Sequence, residues 1–274
     1  ELPDVMYNDY PGPRFGRTGI RELCGVESGP VLMSAIKPLG TPTADFARMV
    51  YELALGGCPL IKDDHSLLNQ KPAPFEERVK ACVDAAESAN AKTGGKSQYI
   101  ANCTADGLQF LERAFKAKEL GAGGIMAAPG LLGFSMIREL SKDPEFGLPI
   151  YLHPCFSGSL VLKDDCGISP FCYYGQISRL AGADAVIFTS FGGRFPFSQE
   201  VCQNICNGTE TRMADLKPIF PVPSGGMRWQ LFRRMYEIYG PETIFLVGGA
   251  LQTEGPDLTS NMKLYAEKLQ EAQA

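Results

Sequence analysis

Residues 31–65 read VLMSAIKPLGTPTADFARMVYELALGGCPLIKDDH, and this stretch decides the fold. It contains an apolar run at 31–37, an amphipathic segment at 44–55 and a second apolar run at 60–64. Short apolar runs rich in valine and isoleucine predict buried strands, whereas apolar residues spaced three and four apart predict a helix. The stretch therefore predicts one strand–helix–strand unit.

The same alternation continues to the end of the chain. Further apolar runs lie at 99–104, 124–128, 149–153, 185–190, 219–224 and 244–248. Further amphipathic segments lie at 74–92, 107–120, 136–142, 174–180, 199–207, 231–239 and 258–271. Eight strand–helix repeats within 274 residues predict an α/β protein of the (β/α)8 TIM barrel class. An open doubly wound sheet, which usually has five or six strands, is the alternative.

The composition is uniform along the chain, without a linker or a low-complexity segment. We therefore expect one catalytic barrel domain over residues 31–274. Residues 1–30 are expected to form an irregular lead-in, because Pro11, Gly12, Pro13 and Gly16 interrupt regular structure there.

Charge and cysteine usage exclude several functional classes. Acidic residues outnumber basic ones by 31 to 26, and no long Lys/Arg run offers a nucleic-acid-binding face. The chain has no apolar stretch of membrane-spanning length and no signal peptide, so we expect neither a membrane protein nor a secreted one. The nine cysteines form no CxxC pair and only two histidines are present, which argues against a Cys/His zinc site. We expect free thiols in a cytoplasmic protein.

Polar and glycine residues stand at the ends of the predicted strands, where barrel enzymes carry their active sites. These candidate site residues are Lys37, Lys62, Asp64, His65, Asn102, His153, Arg194, Ser224, Gly225, Gly226, Gly248 and Gly249. Their convergence at one end of otherwise apolar strands favours an enzyme.

Two groups of candidates have a chemical interpretation. Lys62, Asp64 and His65 are possible metal ligands if CO₂ converts the lysine amine into a carbamate, and solvated charges at a strand end are an equal alternative. The paired glycines after the seventh and eighth strands leave backbone N–H groups open to an anion such as phosphate. Ordinary turn glycines are the alternative there.

Three further candidates carry charge or can carry it. Lys37 is interpreted as a proton carrier, and His153 as an acid–base group or a hydrogen-bonding partner of the substrate. Arg194 follows two glycines and is suited to closing over an anionic substrate. The alternatives are a lysine that reaches solvent at the barrel rim, a rim histidine whose hydrogen bonds are satisfied, and a solvated loop arginine.

These motifs resemble the large-subunit barrel of ribulose-bisphosphate carboxylase (RuBisCO), and more closely the RuBisCO-like (type IV) proteins, over about residues 12–255. The sequence Ile36-Lys37-Pro38 is similar to the family's first-strand lysine motif. Lys62-Asp63-Asp64 is similar to its metal motif, in which the lysine is carbamylated and binds Mg²⁺. The resemblance also matches Asn102 and His153 with active-site positions, and Ser224, Gly225, Gly226, Gly248 and Gly249 with a phosphate-binding backbone.

The chain departs from true carboxylases at several of the matched positions. His65 stands where they have a glutamate metal ligand, and Arg194 stands where they have a mobile-loop lysine. Pro154 and Ile187 replace an arginine and a histidine of the second phosphate site. The resemblance therefore implies a substrate with a single phosphate. The departures argue against carboxylation of ribulose bisphosphate.

The implied activity is metal-stabilised enolisation of a phosphorylated keto sugar, with an enolase, isomerase or decarboxylase (lyase) outcome. The implied cofactors are Mg²⁺, with Mn²⁺ as the alternative that His65 favours, and CO₂ as a carbamate on Lys62. The family also implies a homodimer, in which an N-terminal domain absent from this chain completes the partner's site. The functional alternative is a catalytically silent phosphate-binding barrel that acts as a scaffold or sensor.

Overall fold

The structure, a computed structural model, describes residues 2–163, 165, 167–192 and 197–274. The eight predicted strands are confirmed, and their ends differ from the prediction by two residues at most. They are β1 (Val31–Ile36), β2 (Leu60–Asp63), β3 (Gln98–Asn102), β4 (Gly124–Ala127), β5 (Ile150–Leu152), β6 (Ala185–Thr189), β7 (Phe220–Ser224) and β8 (Ile244–Val247).

Helices precede, connect and follow these strands. They are α1 (Asp4–Tyr7), α2 (Gly16–Cys24), α3 (Thr43–Leu55), α4 (Phe75–Thr93), α5 (Gln109–Glu119), α6 (Pro129–Leu132), α7 (Phe134–Lys142), α8 (Gly158–Val161), a π-helix (Phe171–Ile177), α9 (Ser178–Leu180), α10 (Gln199–Glu210), a 3₁₀-helix (Trp229–Leu231), α11 (Phe232–Tyr239), α12 (Gly249–Gln252) and α13 (Leu258–Gln273). Among the residues that the structure describes, no helix is both long enough and apolar enough to cross a bilayer.

The strands form one parallel sheet in the order β7-β6-β5-β4-β3-β2-β1-β8. The pairing of β1 with β8 curls the sheet until β8 contacts β7, so the barrel is closed except for a seam between these two strands. The predicted TIM barrel is therefore confirmed, and the open doubly wound alternative is wrong.

Two prolines explain the seam between β7 and β8. The Phe220 N–H donates to the Asp184 carbonyl, so the backbone of Phe220 faces β6. Because successive residues of a strand direct their backbone groups to opposite sides, residues 221 and 223 face β8. Both are prolines and have no N–H to donate, so β7 cannot form a full ladder with β8.

The barrel has two separate apolar cores. The outer core lies between the sheet and the helices, and it takes the residues of β1 that point outwards, such as Leu32 and Ile36. The inner core fills the barrel with Val31, Met33, Leu60, Ile100, Met126, Tyr151, Ala185, Ile187, Phe220, Val222, Ile244 and Leu246. Strand residues two apart therefore share a core, and this alternation fixes which side chains point into the barrel.

The segment before β1 is more regular than expected, because residues Gly16–Cys24 form α2. Its amino end is fixed by Asp184, whose Oδ1 accepts the Phe15 and Gly16 N–H groups, both at 2.7 Å. Ile20 and Cys24 then pack into the inner core and close the amino end of the barrel. These contacts come from residues distant in the sequence. The local glycines and prolines, which indicated irregular structure, therefore could not reveal the helix. The division into residues 1–30 and 31–274 stays a prediction.

Candidate active site at the carboxyl end of the barrel

The alternation of the inner core places six candidate residues at the mouth of the barrel. Five of them lie two residues beyond an inner-core residue: Lys62, Asn102, His153, Ser224 and Gly248. The sixth, Lys37, lies four residues beyond the inner-core residue Met33. All six stand at or just after the carboxyl ends of parallel strands, which lie at the same end of the barrel.

Lys62 is buried with 2% of its surface exposed, and its Nζ donates to the Asp63 carbonyl at 2.9 Å. Burial lowers the pKa of this amine to about 8, and the nearby Lys37 charge lowers it further, whereas Asp64 and Asp63 oppose the shift. A much larger fraction of Lys62 is therefore neutral near pH 7 than for an exposed lysine. A neutral amine is the form that can react with CO₂.

Asp64 lies in a tight turn directly after β2. Its Oδ1 accepts hydrogen bonds from the Ser66 N–H at 3.1 Å and the Ser66 hydroxyl at 2.9 Å. Burial would raise the pKa of this carboxyl, but the Ser66 N–H and the Lys62 and His65 charges outweigh it and lower the pKa. Within the described part of the chain, Oδ2 makes no hydrogen bond and is left for a cation.

The two histidines of the chain meet over the barrel mouth. The His65 and His153 rings stack with centroids 4.4 Å apart and an angle of 17° between their planes. His65 Nδ1 also lies 3.3 Å from Asp64 Oδ1. His65 therefore reaches from the end of β2 across the mouth towards β5, over the same space that Lys62 faces from below.

The hydrogen bonding of His153 defines its chemical role. The Cys155 N–H donates to His153 Nδ1 at 3.1 Å, so Nδ1 acts as an acceptor and the ring proton lies on Nε2. Burial lowers the pKa of His153 well below its usual value, and the Lys62 and His65 charges add to the shift. His153 is thus a neutral donor through Nε2–H, which fits the predicted substrate partner better than the predicted acid–base group.

We expect His153 to remain neutral between pH 6 and pH 8, with its proton on Nε2. Because the chain has only two histidines, nitrogen NMR of the wild type and of a His65→Asn variant assigns both rings. The His153 signals should show the Nε2–H tautomer without titration in this range. Titration of His153 near pH 6.5 would contradict the assignment.

A buried ion pair behind the site was not found from the sequence. Asp63 points outwards from β2, and the Arg78 guanidinium of α4 binds it through Nε–Oδ1 at 3.1 Å and Nη2–Oδ2 at 3.2 Å. Tyr99 donates its hydroxyl to Asp63 at 2.6 Å. Asp63 and Arg78 are both fully buried. The sequence did contain one signal for this pair, which is Arg78 itself. It lies on the apolar face of α4 together with Phe75 and Val79.

Asn102 is committed to the backbone of the Asp64–His65 turn. Its Nδ2 donates to the His65 carbonyl at 2.9 Å, and its Oδ1 accepts the Thr104 N–H at 3.2 Å. Its own N–H donates to Asp63 Oδ2 at 2.9 Å. With 1% of its surface exposed, Asn102 is suited to positioning this turn, and its predicted direct contact with substrate stays a prediction.

The glycines after β7 form a turn that requires glycine. Gly225 and Gly226 have φ values of +85° and +86°, which disfavour any residue with a side chain. Their N–H groups have no backbone acceptor within the described residues, and Ser224 Oγ fixes the turn by donating to the Phe188 carbonyl at 2.9 Å. The turn therefore offers two adjacent backbone donors to an anion.

Lys37 lies against the glycines that follow β8. A Cβ built on Gly248 would lie 3.1 Å from Lys37 Nζ, and a Cβ built on Gly249 would lie 4.0 Å from it. The ammonium group and the Gly248–Gly249 backbone thus share one corner of the barrel mouth. The remaining charged candidate, Arg194, lies outside the described residues.

A separate cavity lies at the opposite end of the barrel and contains none of the candidates. It measures about 1060 Å³ and is lined partly by α2, including Arg17 and Arg21. Both arginines are paired, Arg17 with Glu210 at 2.9 Å and Arg21 with Glu242 at 3.0 Å. We therefore place the site at the carboxyl end, where the candidate polar groups converge.

The donor set at the barrel mouth fits a divalent ion on one condition. Among the described residues, no three His, Cys, Asp or Glu side chains come together as a metal site. A carbamate on Lys62 would add the missing oxygen ligand to the Asp64 carboxylate and the His65 imidazole. The residues therefore fit a metal if Lys62 is carbamylated, and the low pKa of Lys62 favours that reaction.

Comparison with known proteins identifies relatives of the chain. The family model described as ribulose bisphosphate carboxylase large chain, catalytic domain, matches residues 18–254. A 2,3-diketo-5-methylthiopentyl-1-phosphate enolase from Geobacillus kaustophilus is 34% identical over 254 residues, which are 92% of this chain and 61% of the enolase. A 5-methylthioribulose-1-phosphate isomerase from Rhodospirillum rubrum is 33% identical over 92% of this chain and 66% of the isomerase.

A solved structure shares the architecture as well. The crystal structure of a Rubisco-like protein from Rhodopseudomonas palustris superposes with a TM-score of 0.86 at 31% identity. The match covers 99% of this chain and 72% of that chain. This chain thus spans between about three fifths and three quarters of the length of the proteins it resembles.

Proposed function

Because the chain belongs to the ribulose bisphosphate carboxylase large-chain family and is a RuBisCO-like protein, we propose that it enolises a phosphorylated keto sugar. One observation carries the proposal: Lys37 Nζ lies against the Gly248–Gly249 backbone, at the barrel mouth that Lys62 also faces. A candidate proton carrier, an anion-binding backbone and a lysine ready for carbamylation are thus adjacent. The proposed enolisation uses these three elements together.

Two apolar residues support a substrate with one phosphate. Ile187 lies in the inner core and is fully buried, and Pro154 follows His153 without a charged side chain. In the carboxylases that the chain resembles, an arginine and a histidine at these positions bind a second phosphate. Carboxylation of ribulose bisphosphate is therefore not the proposed activity.

The proposed cofactors are a divalent cation, Mg²⁺ or Mn²⁺, and CO₂ bound as a carbamate on Lys62. The carbamate, Asp64 and His65 would hold the cation. When bound, such an ion supplies a Lewis acid that stabilises negative charge developing on the substrate oxygens.

The side chains of this chain have separate roles in the proposed reaction. Lys37 removes or returns the proton at the carbon next to the substrate carbonyl. His153 donates its Nε2–H to a substrate oxygen, since its Nδ1 is occupied by the Cys155 N–H. The glycine turns after β7 and β8 hold the phosphate, and Arg194 closes over the anionic end.

The proposed outcome is that of an enolase or isomerase, with a decarboxylase as the open variant. The named relatives include an enolase and an isomerase, and each name contains a 1-phosphate. A substrate with a carboxylate β to the carbonyl would reach the same enediolate by losing CO₂, and Lys37 would then protonate it. We propose that the complete protein acts as a cytoplasmic homodimer, as the family implies.

The test of this function is exchange of a substrate C–H for solvent deuterium, measured by NMR on a panel of keto-sugar phosphates. The complete wild-type protein should exchange at least one of them when supplied with bicarbonate and Mg²⁺ or Mn²⁺. A Lys37→Met variant should lose exchange, because no other candidate is placed to move the proton, although a decarboxylase would still release CO₂ slowly.

The matched control is Lys116→Met, which removes an exposed lysine from α5. This variant should exchange like the wild type. Phosphate binding without exchange of any compound would favour the scaffold or sensor instead. Unchanged turnover in Lys37→Met would remove Lys37 from the mechanism.

A further inference from the structure

The position of Lys37 depends on the shape of its surroundings. Lys37 is half-buried at the end of β1, and within the described residues its ammonium group makes no hydrogen bond or ion pair. Its charge nevertheless acts on the buried Lys62, so the ammonium stays near the barrel mouth. Since the described residues supply no acceptor for it, the space around its end helps to set its position.

Gly248 provides that space. A Cβ at Gly248 would lie 3.1 Å from Lys37 Nζ and 3.7 Å from Cε, and apart from its chain neighbours no other atom of the described residues lies within 4 Å of it. The first distance is tighter than nine in ten contacts of real Cβ atoms, so a side chain at 248 would shift the ammonium group by a few tenths of an ångström. The space beside Gly248 is therefore filled by the end of Lys37.

The other glycines of the mouth differ from Gly248 in this respect. A Cβ at Gly249 would be 4.0 Å from Lys37 Nζ, which is an ordinary contact. Gly225 and Gly226 are required by their positive φ values, whereas Gly248 has a negative φ of −128° with an unusual ψ of −110°. Of the two glycines after β8, only Gly248 thus makes so close an approach to the lysine end.

We propose that Gly248 is a positioning residue for Lys37: its missing side chain leaves the slot that holds the ammonium group in line with the substrate. The inference rests on the proposed function, in which Lys37 moves the proton. Proton transfer requires donor and acceptor atoms within hydrogen-bond distance, so a displacement of a few tenths of an ångström or more slows the chemical step. Gly248 thereby acts on catalysis through Lys37 as well as through the phosphate.

The first test needs no substrate and uses the complete protein. Lysine acylation by a succinimidyl ester, followed by peptide mass spectrometry, measures the reactivity of Lys37. In Gly248→Ala the amine should be shifted out of its position and be labelled several-fold faster than in the wild type. In Gly249→Ala the labelling rate of Lys37 should stay at the wild-type value. Equal rates for Lys37 in the wild type and Gly248→Ala would overturn the proposal.

The second test is a double-mutant cycle on stability, with Gly248→Ala made in the wild type and in a Lys37→Ala background. Any backbone cost of alanine at 248 is common to both backgrounds and cancels. The substitution should lower the unfolding midpoint less when the lysine side chain is absent. If Gly248→Ala alone fails to fold, recovery of folding in the double variant supports the slot, and failure of both overturns it.

The third test separates kcat from KM in deuterium exchange. Gly248→Ala should lower kcat by about tenfold with little change in KM, because the proton carrier is displaced while the backbone N–H remains. A raised KM with an unchanged kcat would show that Gly248 acts through the phosphate alone and would overturn the proposal. If no compound exchanges, the proposed function fails, and the labelling and stability tests still decide the role of Gly248.

Discussion

Replacing Lys62 by methionine is expected to lower the rate of deuterium exchange by at least about two to three orders of magnitude. Methionine has nearly the length of lysine but cannot form a carbamate, so the variant loses the oxygen ligand on which the proposed metal site depends. The described residues contain no third His, Cys, Asp or Glu ligand that would replace it. Exchange rates of the wild type and the variant, each with bicarbonate and metal, measure the effect.

The protein should remain folded after this substitution. The amine is buried, and its lowered pKa reflects the cost of keeping its charge away from water. Methionine has a similar volume and removes that cost. The unfolding midpoint should therefore fall no further than it does for a volume-conserving substitution in an apolar core. The metal site would be refuted if the wild type exchanged at its full rate in a chelator, or if Lys62→Met exchanged as fast as the wild type.

The pKa of Lys62 also predicts how activation depends on pH. Only the neutral amine reacts with CO₂, and the neutral fraction rises as pH passes through the pKa. At constant dissolved CO₂, activation should therefore increase around pH 8, far below the value of 10.5 for an ordinary lysine. Activation that rises only near pH 10 would show that burial does not shift this group.

Replacing Arg78 by alanine is expected to reduce the free energy of unfolding by about 3–5 kcal/mol. The guanidinium is fully buried and is the ionic partner of the equally buried Asp63. It also donates to the Ala73 and Leu68 carbonyls at 2.8 and 2.9 Å. Its loss leaves a buried carboxylate and two carbonyls without their main partner. Urea or thermal unfolding measures the change.

The matched control is Lys80→Ala on the same helix. Lys80 pairs with Asp84 at the surface, where both side chains are about half exposed. Exposed pairs of this kind contribute about 0–1 kcal/mol, so the variant should unfold almost like the wild type. Similar losses for the two substitutions would contradict a special role for the buried pair.

The fold could be predicted because its strands are apolar on both faces. A strand such as β1 contributes Val31 and Met33 to the inner core and Leu32 and Ile36 to the outer one, so it reads as an unbroken apolar run. The same alternation explains why Lys37 and Lys62 stood out. A charged residue at an inward position can only lie at the end of the barrel, where the site is.

The rest depended on contacts between distant residues. Asp63 and Arg78 are 15 positions apart, and their pairing with Tyr99 follows from how α4 packs on the sheet. The donor role of His153 depends on the direction of one backbone N–H, that of Cys155. Arg78 on the apolar face of α4 indicates a buried charge, but neither its partner nor the direction of that N–H follows from residue types or spacing. The role of Arg194 stays a prediction.

The prolines of β7 have a consequence for the dynamics of the site. Pro221 and Pro223 leave the seam to β8 without a full backbone ladder, and the two glycine turns that we propose to bind phosphate flank this seam. A phosphate bound by both turns would join the strands through the ligand, so binding would stiffen the barrel where its own hydrogen bonds do not. Release of product would then restore the relative motion of β7 and β8. Under the proposed function, tight retention of phosphate and rapid turnover would therefore oppose each other at this seam.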